Sequence, residues 1–281
     1  MFLALRGEMM IKVLACSERV IEKVMGQPQR GLVQSAFSTA ANVSFAAGFM
    51  LSLNASPHPI LDMPLMPNGV LLSARAAEWP FGALKAGMPV VLGAGWLVFE
   101  AISCSLDCTG CVRWNPHIER PVALDNELLK TNARWLAQFC QLHGSQTGGE
   151  RLEYGDDETI LALAARLCGR GPGLTPSGDD FLAGWMAVGW LLYGPQPTFL
   201  AHCQRITEIA SQRTHALSQC WLAYAAAGDV AHPIGELLAA LTVPNPERLE
   251  CAARHVLALG ATSGYDLLQG ILYGLEQFPL F

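Results

Sequence analysis

The chain has 281 residues, of which 51% are hydrophobic and 15% charged, with a formal net charge of −6 at pH 7. This length predicts two domains or one large layered core. The acidic balance and the lack of any Lys/Arg run exclude a general nucleic-acid partner. The longest apolar run, Phe181 to Tyr193, is shorter than the ~20 residues that span a bilayer, so we expect no membrane partner.

The cysteines bear on the cellular compartment. The chain has nine, an odd number, and is long enough to fold without disulfides. The N-terminus is interrupted by charge too early for a secretory segment, so we predict a cytoplasmic protein with free thiols. Cys104, Cys108 and Cys111 have the spacing that radical S-adenosylmethionine enzymes use for an iron–sulfur cluster. We favour structural thiols, because that class places its cysteines early in a β/α barrel.

Short apolar runs separated by Gly and Pro fill the first part of the chain and predict strands. We place these strands at Leu32–Ser38, Phe49–Leu53, Val70–Ala74, Val90–Leu92 and Trp96–Ser103. Gly93-Ala94-Gly95 lies between the last two. It predicts a tight hairpin rather than a nucleotide-binding loop, because neither a third glycine nor a helix follows.

From Pro121 onward, apolar residues recur at three- and four-residue steps, which predicts helices. They run from Leu124 to a stop at Gly144, then over Asp157–Leu167, Pro176–Tyr193, Pro197–Ala227, Pro233–Leu241, Pro246–Leu259 and Ser263–Leu275, with a polar loop at Ser145–Gly149. Asn245 before Pro246, and Thr175 before Pro176, each pair a capping side chain with a proline at the first helical position.

The two patterns together predict an α+β protein. We expect a β-rich domain over residues 1–122, a strand meander or barrel-like, and a helical domain over residues 123–281 that carries the motifs described next. No internal repeat is evident.

The run from Gly169 to Asp180 opens one predicted helix and is the first candidate site. Unpaired N–H groups and the positive end of the helix dipole favour a small anion there. Glycines let a ligand approach the backbone, and hydroxyls add directional hydrogen bonds. The candidate anion-binding residues in this run are Gly171, Gly173, Thr175, Ser177 and Gly178.

Asp179 and Asp180 follow at once and would repel a bound anion unless a cation intervened. They either offset the helix dipole or, with Asp266, gather a hard cation such as Mg²⁺. Gly184 and Gly189 on the same helix each disfavour helix by about 1 kcal/mol relative to Ala. We expect them only where another backbone or a ligand packs close.

Two further polar segments accompany this run. Thr262, Ser263 and Gly264 open another helix with Asp266 in its first turn, either as a simple Ser-capped connection or as the second half of one polar pocket. Ser211 to Ser218 is a polar stretch in the middle of the predicted Pro197–Ala227 helix. There Arg213 is the natural partner of a carboxylate or phosphate, with Thr214 beside it, and we take His215 as structural.

The run Gly171-Pro-Gly-Leu-Thr-Pro-Ser-Gly-Asp-Asp-Phe-Leu-Ala-Gly184 resembles the hallmark of the AllH-like family. Ser211-Gln-Arg-Thr214 with Leu217-Ser218, and Gly260-Ala-Thr-Ser-Gly-Tyr-Asp266, resemble two further family segments. The N-terminal half is similar more loosely, through Val33 to Asn42 and Trp114-Asn115-Pro116. The resemblance therefore spans most of the chain.

This resemblance implies a β-rich part joined to a helical part, and a role in allantoin and purine nitrogen catabolism. It implies a subunit of oxamate carbamoyltransferase, which converts oxalurate and phosphate to oxamate and carbamoyl phosphate and includes two other protein subunits.

We therefore expect oxalurate, oxamate or carbamoyl phosphate to bind at the helix starts, with Asp180 and Arg213 as candidate catalytic groups. Catalysis would then be positioning and stabilisation of a developing oxyanion. The alternatives are a non-catalytic assembly or small-anion-binding subunit, and a metallocluster enzyme that uses Cys104, Cys108 and Cys111.

Overall fold

The computed structural model of the protein describes residues 9–55, 66–73, 80–144 and 159–278. The chain divides into two compact units, Met1–Pro116 and His117–Phe281. Strands fill the first unit and helices the second, which confirms the predicted α+β class. The predicted polar loop Ser145–Gly149 lies outside the described residues.

The described part of the first unit forms one curled sheet with the strand order β1-β9-β8-β7-β3-β4-β5-β6-β2-β10. Neighbouring strands are antiparallel except in the pairs β1/β9, β5/β6 and β2/β10, which are parallel. The strands are β1 Met9–Lys12, β2 Ala15–Ser17, β3 Gln29–Ala36, β4 Ala40–Phe45, β5 Met50–Ala55, β6 Gly69–Leu72, β7 Pro89–Gly93, β8 Trp96–Phe99, β9 Cys104–Asp107 and β10 Val112–Trp114.

One short helix, α1 (Glu18–Val24), follows β2 and covers part of this sheet. Its Val20 and Val24 are fully buried in the same apolar cluster as Val43, Leu51 and Leu106 from the strands. Burying such side chains is the main favourable contribution to folding of this unit. The helix was absent from the sequence prediction, because its apolar positions span only two turns.

The predicted hairpin at Gly93-Ala94-Gly95 is confirmed. Gly93 pairs with Trp96 across antiparallel β7 and β8. Ala94 and Gly95 have φ angles of 49° and 87°. Positive φ at both central residues is the type I′ geometry that matches the twist of paired strands.

The predicted strand Trp96–Ser103 is wrong as a single element. Glu100–Ile102 form a turn of 3₁₀ helix, and Ser103 has a φ of 49°, so the chain reverses there. Phe99 then pairs with Cys104 as β8 meets β9 antiparallel. An apolar run without Gly or Pro thus hides a turn, since Ser103 adopts the left-handed conformation that glycine usually supplies.

The helical unit contains eight further helices within the described residues. They are α2 Asn126–His143, α3 Ile160–Leu167, α4 Ser177–Tyr193, α5 Pro197–Ala210, α6 Ala216–Ala226, α7 His232–Leu241, α8 Pro246–Leu257 and α9 Ser263–Gln277. Asp157, predicted to begin α3, lies outside the described part of the chain. No helix in the described ranges is both long and apolar enough to cross a membrane.

Helix α4 is the centre of the helical unit. Most of its residues are buried, including Phe181, Leu182, Met186 and Leu191, which have no exposed surface. A helix that is apolar on all sides is stable only in a core. Arg120 donates hydrogen bonds to the carbonyls of Leu191 and Leu192, 3.2 and 2.9 Å away, and so satisfies acceptors at the end of the helix.

Helices α4 and α9 cross in direct backbone contact. A Cβ at Gly184 would collide with the carbonyl oxygen of Leu267, and a Cβ at Gly270 with that of Phe181. A Cβ at Gly189 would collide with the ring of Phe199. The expected close approach of another backbone is therefore confirmed at Gly184, whereas the group packed against Gly189 is a side chain.

The three-cysteine hypothesis needs a correction. The Cys16 thiol of β2 lies within hydrogen-bonding reach of both Cys108 and Cys111. Cys104 is buried on β9. The cluster that forms is therefore Cys16, Cys108 and Cys111, because β10, which follows Cys111, pairs with β2. All three are free thiols, and no metal-holding group of three or more His, Cys, Asp or Glu residues occurs in the described chain.

We predict that Gly184→Ala lowers the free energy of unfolding by about 2 kcal/mol or more, because the new methyl group has to push two backbones apart. Gly235→Ala in α7 is the matched control. Its Cβ would meet only Val230, at 3.9 Å, so it should raise stability by up to about 1 kcal/mol. Denaturant midpoints measure both. Equal effects of the two substitutions would contradict the backbone contact.

We also predict that Cys111 reacts with iodoacetamide near neutral pH. The hydrogen bond from Cys16 lowers the pKa of the half-buried Cys111 thiol to about 7, whereas burial raises that of Cys140 to about 12. Peptide mass spectrometry at pH 7.5 should show Cys111 labelled far faster than Cys140. Cys16→Ala should slow this labelling, and an unchanged rate would exclude the proposed hydrogen bond.

Candidate functional site

Two helix starts with the same sequence pattern form the candidate site. Helix α4 begins Ser177-Gly178-Asp179-Asp180, and α9 begins Ser263-Gly264-Tyr265-Asp266. Ser, Gly and Asp occupy identical positions in both, and the contact glycines Gly184 and Gly270 also correspond. The helical unit thus contains a short repeat that the sequence prediction missed, although Ser-Gly-x-Asp followed by Gly at the same distance is visible in the sequence.

Glycine fixes how each helix start packs. A Cβ at Gly178 would collide with the carbonyl of Leu167 in α3, and a Cβ at Gly264 with that of Val256 in α8. These two glycines were predicted to let a ligand approach the backbone. The structure instead places the preceding helix against them, so they hold the site in position.

The hydroxyl groups of the two starts meet. Thr175 Oγ1 and Ser263 Oγ are 3.0 Å apart. Neither Pro176 nor Thr262, the N-cap residues of α4 and α9, makes a side-chain capping bond. The predicted capping role of Thr175 is therefore wrong, and its hydroxyl is used between the helices. By contrast, the predicted Asn245 cap of α8 is confirmed by a 3.0 Å bond from the Arg248 N–H.

Asp180 and Asp266 lie among these hydroxyls. Ser263 and Thr175 favour the charged form of Asp180, and Ser177 and Thr262 favour that of Asp266. Each carboxyl therefore meets one serine from the opposite helix start. The predicted convergence of the two segments into one polar pocket agrees with this arrangement.

Both carboxyls are nevertheless hard to ionise. Burial raises the pKa of Asp180 well above its usual 3.8, and the charges of Asp266 and Asp179 raise it further, while the two hydroxyls oppose the shift. Burial likewise raises the pKa of Asp266. Desolvation disfavours a charged carboxylate, and a like charge nearby adds to that effect.

One oxygen of each carboxyl has no hydrogen-bond partner among the described residues. These atoms are Oδ2 of Asp180 and Oδ2 of Asp266. The residues are 8% and 0% exposed, so bulk water does not compensate them. An unpaired buried acceptor costs free energy, and such atoms are candidates for contact with a ligand.

Asp179, by contrast, is fully engaged in holding the fold. Its carboxylate accepts hydrogen bonds from the Gly169 N–H at 2.9 Å, from the Ser218 hydroxyl at 2.7 Å and from the Thr214 hydroxyl. These donors come from the loop before α4, from α6 and from the α5–α6 connection. Asp179 thus ties three segments together.

The prediction of one helix over Pro197–Ala227 is wrong. The chain turns at residues 211–215 between α5 and α6. The polar stretch is this turn, because Thr214 and Ser218 bond to Asp179 rather than extending an apolar stripe. His215 is the exposed N-cap residue of α6 and makes no side-chain capping bond.

Arg213 lies in the same turn and is exposed. Its guanidinium donates to the carbonyl of Ala165, in the last turns of α3. The backbone carbonyl of Arg213 packs against Gly169, which has a φ of 74°. The structure therefore gives Arg213 a contact that joins the turn to α3, and binding of an anion by Arg213 stays a prediction.

The glycine loop before α4 is the exposed side of the site. Gly171 and Gly173 have φ angles of 119° and 94°. A side chain at Gly173 would meet no atom within 4 Å, whereas one at Gly171 would approach the Ser177 nitrogen. The next N–H groups are occupied, since Gly178 donates to Arg170, and Asp179 and Asp180 donate to Pro176. An anion would therefore rely on the Ser177 N–H and the hydroxyls.

The metal hypothesis loses one of its three predicted ligands. Asp179 uses both oxygens to accept hydrogen bonds, which leaves Asp180 and Asp266. Within the described residues, no group of three or more His, Cys, Asp or Glu side chains is placed so that it could hold a metal ion.

A family comparison covers this site. Residues 167–275 match the family described as oxamate carbamoyltransferase subunit AllH. The matched region contains both helix starts, the α5–α6 turn and the α4–α9 crossing. The match supports the resemblance to the AllH-like family over this part of the helical unit. No solved structure matches the chain.

We predict opposite effects for two neighbouring substitutions. Asp179→Asn should lower the free energy of unfolding by about 1–3 kcal/mol, because an amide NH₂ would face groups that are themselves donors. Asp180→Asn should raise it at neutral pH, because it removes a buried charge that lacks a full set of partners.

The pH dependence of the second effect follows from the raised pKa of Asp180. The ordinary pKa of an aspartate, which applies to Asp180 in the unfolded chain, is 3.8. Above this pH the folded state binds more protons than the unfolded state. The stability of the wild-type protein therefore falls as the pH rises, until the pH passes the raised pKa of Asp180. The Tm advantage of Asp180→Asn should therefore be larger at pH 8 than at pH 5. A pH-independent difference would exclude titration of Asp180 in this range.

Proposed function

We propose that the chain is a subunit of an oxamate carbamoyltransferase that acts on oxalurate and phosphate, in allantoin and purine nitrogen catabolism, together with other protein subunits. The family description supports the enzyme assignment. The observation that supports the binding site is the 3.0 Å contact between Thr175 and Ser263, which brings the hydroxyls of the two helix starts together.

In the proposed reaction, a phosphate oxygen attacks the carbamoyl carbon of oxalurate. An O–C bond forms, the C–N bond to the oxamate nitrogen breaks, and that nitrogen takes up a proton. The products are carbamoyl phosphate and oxamate. The step needs two anions side by side and donors for the negative charge that develops on the carbonyl oxygen.

The site residues can supply these donors in two places. The exposed loop at Gly171 and Gly173 is open to a carboxylate or phosphate, with the Ser177 N–H and its hydroxyl beneath it. The hydroxyls of Thr175 and Ser263 lie deeper, beside Asp180. We assign substrate binding to this group and leave Arg213 as a further anion contact at its edge.

A thermal-shift titration of the full chain tests the proposal. The ligands are oxalurate, oxamate, carbamoyl phosphate and phosphate, each with and without Mg²⁺. A ligand at about one hundred times its Kd should stabilise the fold by about 2.7 kcal/mol. Thr175→Val should weaken the shift, because it removes a hydroxyl from the pocket and keeps the side-chain shape.

Thr207→Val is the matched control, since the half-buried Thr207 hydroxyl donates to the Gln204 carbonyl within α5. A shift that Thr175→Val leaves intact would contradict the assigned site. In the reconstituted complex, turnover and assembly measured with Arg213→Ala distinguish a catalytic subunit from a non-catalytic one. Lost turnover with intact assembly favours a catalytic site, and lost assembly favours a non-catalytic subunit.

A further inference from the structure

We propose that Asp180 and Asp266 recognise the ureido group of the substrate by accepting its N–H groups on their two unpartnered oxygens. The inference rests on the proposed function for the identity of the substrate and deepens it, because it assigns the uncharged end of oxalurate to a particular pair of side chains. The two oxygens are Oδ2 of each residue.

The pocket lacks hydrogen-bond donors at these atoms. Each carboxyl has hydroxyl groups beside it, Ser263 and Thr175 for Asp180 and Ser177 and Thr262 for Asp266. One oxygen of each still has no donor within the described chain, although both residues are more than nine-tenths buried. When both carboxyls are ionised, their oxygens act only as acceptors, so the missing ligand atoms are hydrogen-bond donors or a cation.

The protein itself cannot easily supply the missing donors by moving its helices. Gly178 and Gly264 seat the two helix starts against the carbonyls of Leu167 and Val256, and Gly184 packs against Leu267. Because these contacts are between backbone atoms, the helix starts cannot shift to bring another side chain to the unpartnered oxygens. The unpartnered oxygens are therefore held in place before a ligand arrives, which limits the ordering cost of binding.

An N–H donor fits better than a metal ion. Mg²⁺ prefers six oxygen ligands and usually keeps several waters. Both unpartnered oxygens are buried, and among the described residues the neighbouring Asp179 is occupied by its own donors. A ureido group has N–H donors on the two nitrogens that flank its carbonyl carbon and carries no net charge. It can satisfy two acceptors without the cost of dehydrating a full positive charge.

The two ends of oxalurate then have separate sites. The carboxylate lies toward the exposed glycine loop at Gly171 and Gly173, and the ureido group lies toward the buried pair. This orientation brings the carbamoyl carbon close to the hydroxyls of Thr175 and Ser263, which are 3.0 Å apart.

Three probes separate the two ends in a thermal-shift or calorimetric titration of the full chain, purified with the subunits that co-elute with it. Acetylurea has the ureido group of oxalurate with a methyl group in place of the carboxylate. Oxalate has the carboxylates and no ureido group. Fully N-methylated acetylurea has the carbonyls and no N–H donor.

We expect acetylurea to bind the wild-type protein, and its N-methylated analogue to bind at least roughly tenfold more weakly. This comparison needs no variant and so does not depend on refolding. Asp180→Asn and Asp266→Asn should each weaken acetylurea roughly tenfold or more, since they replace an acceptor with a donor, and should leave oxalate binding within about twofold. Glu247→Gln, at an exposed position in the first turn of α8, is the control.

The outcomes are distinct. Absence of acetylurea binding, equal binding of the N-methylated analogue, or undiminished binding to both variants would overturn the inference. Stabilisation by Mg²⁺ alone that both variants abolish, without an effect of acetylurea, would overturn it in favour of a cation site. If acetylurea binds while oxalurate and carbamoyl phosphate do not, the ureido site stands and the proposed function fails.

Discussion

The close crossing of α4 and α9 is the constraint on which the rest of the helical unit depends. Gly184 and Gly270 let the two backbones touch, each against a carbonyl of the other helix. At this distance the two helices have no room for side chains between them, so their first turns come together as well. The pocket of hydroxyls and carboxyls is a consequence of that crossing.

The two neighbouring aspartates of α4 show how position on a helix decides the role of a charge. Successive residues point about 100° apart. Asp179 therefore faces the α5–α6 turn and collects three donors, whereas Asp180 faces α9 and Asp266. One carboxylate stabilises the fold and the other opposes it, although the sequence shows only Asp-Asp.

Much of this could be predicted from the sequence. The spacing of apolar residues identified the β-rich and helical parts. The positions of Gly, Pro and capping residues identified the Gly93-Ala94-Gly95 hairpin and the Asn245 cap, because each of these features depends on local chemistry. The break between α5 and α6 could not be predicted in this way. It exists because Thr214 and Ser218 bond to Asp179, which is distant in the sequence. Arg213 was assigned to a ligand on its residue type alone, and the structure shows its contact with Ala165.

The sequence predicted which types of residue line the site. It did not predict whether the unpaired groups there are hydrogen-bond donors or acceptors. Glycines, hydroxyls and helix starts favour an anion, and the sequence alone gives no measure of how many N–H groups are already taken. In the structure Gly178, Asp179 and Asp180 donate to backbone carbonyls, as Gly264, Tyr265 and Asp266 do at the other start. At the two helix starts, the buried side-chain atoms without a partner among the described residues are carboxyl oxygens, Oδ2 of Asp180 and of Asp266.

Because the unpaired buried groups are acceptors and not donors, the Asp180–Asp266 end of the site selects a different part of a ligand. An anion pushed toward two carboxyls would be repelled, so the anionic end of any substrate has to stay at the exposed glycine loop. The buried end then favours a group that donates hydrogen bonds. A pocket with opposite preferences at its two ends fixes the direction in which an asymmetric molecule binds, because the reversed orientation leaves a charge facing like charge and buried acceptors unpaired.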